Sequence, residues 1–243
     1  TAKNNGTLVS NREKGVGIYT SESNVTNSST GTITMNKKGA AGILGEKNSI
    51  IINSNKIEAV KENSAGIFSD NSNITNSGNI VTNDTASTGI FSKVSSGNRT
   101  IINSGNIEIM NTTGNATGNA GIYSEIIAGS LTITNSNEVK VITPASVGIM
   151  LKNSNVSLNN SIVNNNKFIK MSGISSVGIL GENSMLNNET NGEIYLSGAK
   201  SVGIYGKLDS AIKNEGKIES TDLTSPSSSV GILSDSGTSE NNG

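Results

Sequence analysis

The chain has 243 residues, of which 33% are apolar and 3% aromatic, with a net charge of -1; a core layered on Leu, Phe and Trp is excluded, and charge repulsion is too weak to keep the chain unfolded. It contains no histidine and no cysteine, which excludes Ser-His-Asp and Cys-His nucleophiles and imidazole or thiolate zinc sites. With 18 basic residues against 19 acidic ones and no basic cluster, a nucleic-acid surface is not expected, and no apolar run approaches the ~20 residues of a membrane helix, so this segment is not expected to insert into a membrane.

In chain order, residues 4–8 (Asn-Asn-Gly-Thr-Leu) form the remnant of a corner, and Val16-Gly17-Ile18-Tyr19 is the first of nine small-apolar/Gly/Ile/large-apolar units. The others place their isoleucines at 43, 67, 90, 122, 149, 179, 204 and 232, with successive glycines 23 to 32 residues apart. Between them a second unit recurs, clearest as Ile-Thr-Asn-Ser-Gly-Asn-Ile at 74–80 and Ile-Ile-Asn-Ser-Gly-Asn-Ile at 101–107. Further copies occupy 51–57, 133–139, 162–168 and 212–218, and two with two extra residues occupy 25–33 and 186–194. Each closes in a short alternating stretch such as Ile107-Glu108-Ile109. Period-two alternation with β-branched residues favours strands over helices.

A repeat at this spacing predicts a solenoid. Three strands and three corners account for one coil, and stacked coils pair each strand with its counterpart ~4.8 Å above and below. The expected fold is therefore all-β: a right-handed parallel β-helix with three short strands per coil and about eight to nine coils, forming a single section over 1–243. The isoleucines from Ile18 to Ile204 should fill one internal column. As no terminal repeat looks like a polar cap, the section is expected to be an internal piece of a longer solenoid.

Two further columns stand out. Asn27, Asn53, Asn76, Asn103, Asn135, Asn164, Asn188 and Asn214 open the second unit's corner; an amide both donates and accepts, so stacked copies should form a structural ladder rather than a ligand-binding row. Two residues before each closing apolar residue stands Gly or Asn (Gly6, Gly31, Asn55, Gly78, Gly105, Asn137, Asn166, Gly192, Gly216). Both residue types enter the left-handed region at little cost, so this column should have positive φ.

Two surfaces are candidates for contact. The residues after Gly-Ile (Tyr19, Leu44, Phe68, Phe91, Tyr123, Met150, Leu180, Tyr205, Leu233) form an exposed apolar stripe if alternation is strict, with Val16 and Ile18 inward; a bend that lets them roof the core is the expected arrangement. The second surface comes from extra residues at 94–99, 126–130 and 153–161, which should stack on one corner of three consecutive coils, with smaller bulges near 111–119 and 225–229. Loops on a rigid scaffold carry recognition, so Arg99, Glu125, Ile126, Ile127 and Asn155 are the candidate partner-contact residues, with Leu131 adding apolar bulk unless the core takes it.

Repeats of the form (A/V)-G-I-(Y/F/L)-(S/G)…(I/V)-T-N-S-G-x-I, as at 65–80, resemble the passenger region of the large fusobacterial autotransporter adhesins of the type V secretion route, over the whole chain. The resemblance implies a non-catalytic passenger segment, standing on the bacterial cell surface through an outer-membrane translocator barrel outside this sequence, or secreted. It implies adhesion and virulence functions, with a host-cell receptor protein, a surface glycan or a partner bacterium as partner, and no cofactor. A purely structural stalk that projects a binding tip located elsewhere is the main alternative. A β-helix carbohydrate-active enzyme is a weaker one, because Asp70, Asp84, Asp209, Asp222 and Asp235 are dispersed and no catalytic, cofactor or metal set converges. A trimeric adhesin head has a period nearer fourteen.

Overall fold

The computed structural model describes residues 1–110, 114, 116–154, 160–221 and 229–243. Among the described residues there are 28 strands and no helix. They form three parallel sheets of ten, nine and nine strands, in each of which a strand pairs with the strand three places on in the chain. This is a parallel β-solenoid of about nine turns with three strands per coil, as the repeat predicts.

The nine-stranded sheet running from Val16–Ser21 to Val230–Ser234 carries the Gly-Ile units and is called here the Gly-Ile sheet. The asparagine sheet runs from Ala2–Asn4 to Gly237–Asn241, and the closing sheet from Thr7–Ser10 to Lys217–Ser220. Registers are in step: Ile18, Ile43, Ile67, Ile90, Ile122, Ile149, Ile179, Ile204 and Ile232 are successive Cα partners. From Ile43 to Ile204 this column is fully buried; Ile18 and Ile232 are partly buried against the core. Columns from the asparagine sheet (Ile51, Ile74, Ile101) and the closing sheet (Ile57, Ile80, Ile107) meet it inside. A prism this thin closes with Ile, Val and small residues, and the few aromatic side chains are left for its outside.

The asparagine corner is a continuous amide ladder. Asn4, Asn27, Asn53, Asn76, Asn103, Asn135, Asn165, Asn188, Asn214 and Asn241 each donate from Nδ2 to the Oδ1 of the next, at 2.6 to 2.9 Å. The sixth-coil member is Asn165, where the sequence pointed to Asn164. The stretch Ile162-Val163-Asn164-Asn165 offers two registers one residue apart. The one that buries Val163 and Ile169 turns Ile162, Asn164 and Phe168 outward. Since alternation has period two, a one-residue slip exchanges the two faces of the strand.

The Gly/Asn column of that corner does not have positive φ: none of its residues lies in the left-handed region. With the register corrected, Lys167 replaces Asn166 in it, paired through its carbonyl with the Glu193 amide. The glycines answer to space instead. A Cβ at Gly78 would overlap the Asn55 carbonyl oxygen, and one at Gly105 the Gly78 carbonyl oxygen.

Left-handed residues sit at the two corners that flank the Gly-Ile sheet. Four residues before each isoleucine stand Lys14, Gly39, Asn63, Ala86, Gly118, Ala145, Ser175 and Lys200, with φ from 49° to 68°. Four residues after it stand Glu22, Lys47, Asn71, Asn183 and Leu208, with φ from 48° to 61°. The first of these corners holds a second ladder that sequence reasoning missed. Successive main-chain amides donate to the side-chain oxygen one coil on, through Ser64, Ser87, Asn119, Ser146, Ser176, Ser201 and Ser229. The signal for it was a serine three residues before the isoleucine in six of the nine units.

Candidate interaction surface

The outer face of the Gly-Ile sheet is built by a break in alternation at the glycine. In Ala65–Asp70, Ile67 and Ser69 point inward while Phe68 and Asp70 point outward and are partly exposed. Gly66 also faces inward, since a Cβ there would overlap Ile80 Cγ2. Two consecutive inward residues throw the preceding residue outward. Val16, expected inward, is accordingly 39% exposed. The residues that were expected to roof the core stand instead on the outside of the sheet.

Three outward columns result. The first, two residues before the isoleucine, holds Ala, Val or Thr. The second, one residue after it, is the Tyr/Leu/Phe/Met column, exposed at its ends (Tyr19 57%, Leu233 37%) and half-buried by its own neighbours between. Its rings stack along the rod: Phe68 and Phe91 have centroids 4.8 Å apart at 18°, and Phe91 meets Tyr123 edge-on at 5.3 Å. A depression of about 270 Å³ opens beside it between Thr88, Ala120, Tyr123, Val147 and Met150. Burial, chiefly, pushes the Tyr123 hydroxyl pKa up. The third column, three residues after the isoleucine, begins at Ser21 and is charged from the second coil on: Glu46, Asp70, Lys93, Glu125, Lys152, Glu182, Lys207 and Asp235. Tyr19 donates to Glu46 at 2.9 Å and Tyr205 to Asp235 at 2.5 Å.

The insertion corner differs from its expectation. The extra residues at 94 and 126 lengthen strands: Thr88–Val94, Ala120–Ile126 and Val147–Asn153 each have seven residues where the regular coils have six. Val94, Ile126 and Leu131 are fully buried, so these coils are wider and the core takes the added bulk. Of the candidate contacts, Ile126 is therefore a core residue, and Ile127 remains 50% exposed. Glu125 pairs with Lys152 at 3.7 Å on the Gly-Ile face. Arg99 lies along the corner, bonding Asn71 Oδ1 at 3.2 Å, the Asn98 carbonyl and Asn48. Asn155 lies outside the described residues, as do most of 153–161 and 222–228 and parts of 111–119.

The closing sheet carries charges that neutralise one another within the chain: Lys56–Glu58, Lys140–Glu108 and Lys217–Glu219 each at 2.6 Å, and Lys170 with Glu138. The bond to Glu108 is the main cause of the raised Lys140 pKa. Lysines also lie over its two outward rings, Lys170 over Phe168 at 5.1 Å and Lys217 over Tyr195 at 5.4 Å. Among the described residues no group of three or more Asp or Glu side chains could hold a metal ion. Compared with protein-family models, curated proteins and solved structures, the chain matches none.

Proposed function

We propose that this chain is a non-catalytic passenger segment of a cell-surface adhesin, and that it makes contact through the outer face of its Gly-Ile sheet. One observation carries the reading: the rod keeps one uninterrupted aromatic and aliphatic column on its surface, over nine coils, beside a row of charges. Contiguous exposed apolar stripes rimmed by polar residues mark interaction sites. The passenger resemblance assigns the setting, a bacterial cell surface, and the class of partner, a receptor protein or glycan of a host cell or another bacterium. A spacer stalk is the second reading, favoured by the closing sheet, whose charges are satisfied internally.

The test is the double substitution Phe68→Ser/Phe91→Ser, which removes two stacked outward rings without touching the core. Circular dichroism should be unchanged, and binding of the fragment to host cells or partner bacteria should fall at least tenfold. Undiminished binding by the folded variant would refute the surface assignment; no binding by either form, where the full passenger binds, would establish the stalk.

A further inference from the structure

We propose that the Gly-Ile face also pairs with a second copy of this chain laid antiparallel; this rests on the reading of that face as the contact surface. The charged column supplies the argument. From Lys93 onward its sign alternates at every coil (Lys93, Glu125, Lys152, Glu182, Lys207, Asp235), preceded by Asp70. A two-fold axis along the strand direction, between the Tyr123 and Met150 rows, reverses the rod but lays each column over its own counterpart. It then opposes Asp70 to Lys207 of the second copy, Lys93 to its Glu182, and Glu125 to its Lys152. All three pairs are of opposite sign, and the symmetry makes them six, as a self-complementary patch requires. The like-charged pair left at the ends, Glu46 and Asp235, consists of the two carboxylates that already accept a tyrosine hydroxyl in their own chain.

Within one chain only Glu125 and Lys152 of the described column form an ion pair with each other. Lys207 lies over the Tyr205 ring at 4.8 Å, and Asp70, Lys93 and Glu182 form no ion pair among the described residues. The area also suits. Six residues of strand and eight coils at ~3.3 and ~4.8 Å give about 750 Å² per copy, or ~1,500 Å² in total, within the range of stable interfaces. The same axis sets Phe91 against Leu180 and Tyr123 against Met150, ring against aliphatic chain, and Phe68 against Tyr205, ring against ring. A parallel pair, with its axis along the rod, would lay the charged column over alanines and valines and leave it unpaired.

Sedimentation equilibrium of the whole chain should show a monomer–dimer equilibrium that weakens with salt. Lys93→Glu places two like-charged pairs in the interface and should weaken dimerisation roughly 10- to 100-fold; Glu182→Lys should do the same independently. Combining the two should restore the dimer, because residues 93 and 182 face each other only between copies: within a chain they stand three coils, ~14 Å, apart. A wild-type chain that stays monomeric, a dimer indifferent to Lys93→Glu, or a double variant no better than the singles would each overturn the proposal. If the monomeric chain still loses cell binding on Phe68→Ser/Phe91→Ser, the contact-face reading stands and only self-pairing fails. If cell binding is undiminished while the charge variants behave as expected, self-pairing stands and the adhesin contact lies elsewhere.

Discussion

Asn164 and Asn165 are adjacent and chemically identical, so substituting each by alanine isolates what the ladder contributes. Asn165 is fully buried and accepts from Asn135 Nδ2 at 2.8 Å while donating to Asn188 Oδ1 at 2.8 Å and the Lys167 carbonyl at 3.0 Å. Asn135 Nδ2 keeps the Asn137 and Phe168 carbonyls as acceptors when Asn165 is shortened. The Lys167 carbonyl keeps the Glu193 amide as a donor, so Asn188 Oδ1, in a fully buried residue, is the group left without one. At about 1–3 kcal/mol for a buried group left unsatisfied, Asn165→Ala should destabilise by ~1–3 kcal/mol. Asn164 faces outward and accepts one bond, from Asn187 Nδ2 at 2.9 Å; its removal should cost less than ~1 kcal/mol, as water replaces the donor. Urea unfolding followed by circular dichroism gives the global difference. Amide exchange on both sides of the sixth coil shows whether the loss is local, as nearest-neighbour coupling in a solenoid requires. Equal destabilisation by the two substitutions, or a larger effect of Asn164→Ala, would refute the register and the ladder with it.

Gly105→Ala should destabilise by about 1–3 kcal/mol because its Cβ overlaps the Gly78 carbonyl oxygen, whereas Ala145→Gly, at φ 49°, should be neutral or stabilising by up to ~1 kcal/mol, since it trades left-handed strain against added unfolded-state freedom; chemical denaturation of both variants checks the reversal. Tyr123 and Lys140 have raised pKa values, from burial and from the Glu108 bond respectively. Each therefore holds its proton more tightly folded than unfolded, and their contribution is fully present below the ordinary values of 10.0 and 10.5 and is lost as pH rises through the folded ones. Thermal unfolding between pH 9 and ~11 should show stability falling with pH, less steeply in Tyr123→Phe; an unchanged slope in that variant would remove Tyr123 from the account.

The isoleucine column and the sheet order were legible because one β-branched residue recurs beside one glycine nine times, and nothing but a stacked strand uses that pattern. The ladder was legible wherever a single asparagine followed an alternating pair, as at Ile74-Thr75-Asn76. It was misread where three asparagines in a row, Asn164 to Asn166, made two registers equivalent by composition, and where Ile162 is as apolar as Val163. The positive-φ assignment failed for a different reason. Gly105 looks like a residue chosen for its backbone freedom, but it is chosen for its missing Cβ. The true left-handed positions hold Lys, Asn, Ala and Ser as readily as Gly, so composition does not mark them. The constant offset of four residues from the isoleucine was the one usable signal. The outward turn of Phe68 and its column follows from Gly66, whose inward direction depends on the approach of Ile80 from another sheet, a tertiary contact that a single strand does not encode.

The strained corners and the exposed face are connected. Among the described residues fourteen non-glycine residues lie at positive φ, at roughly 1–2 kcal/mol each, and at the corner before the Gly-Ile sheet their amides show how this is sustained. Lys14, Gly39, Asn63, Ala86, Ala145 and Ser175 each donate to the carbonyl that precedes the left-handed residue of the next coil. One residue further on, the serine ladder takes the next amide. Where the ladder lacks a hydroxyl, at Ala40, the Gly15 amide turns back to Arg12 at 3.3 Å. Each corner is thus fixed by the coil after it, and strain persists only where the surroundings over-determine it. Turning the chain this tightly at both ends of the Gly-Ile strand, with an inward glycine between, orients its outward side chains alike in every coil. Neighbouring rings then stack at 4.8 Å and neighbouring charges fall into a single file. A looser corner would let the columns drift, and a partner reading nine coils at once would meet nine different surfaces. The left-handed residues carry no chemistry of their own, yet the straightness of the stripe depends on them.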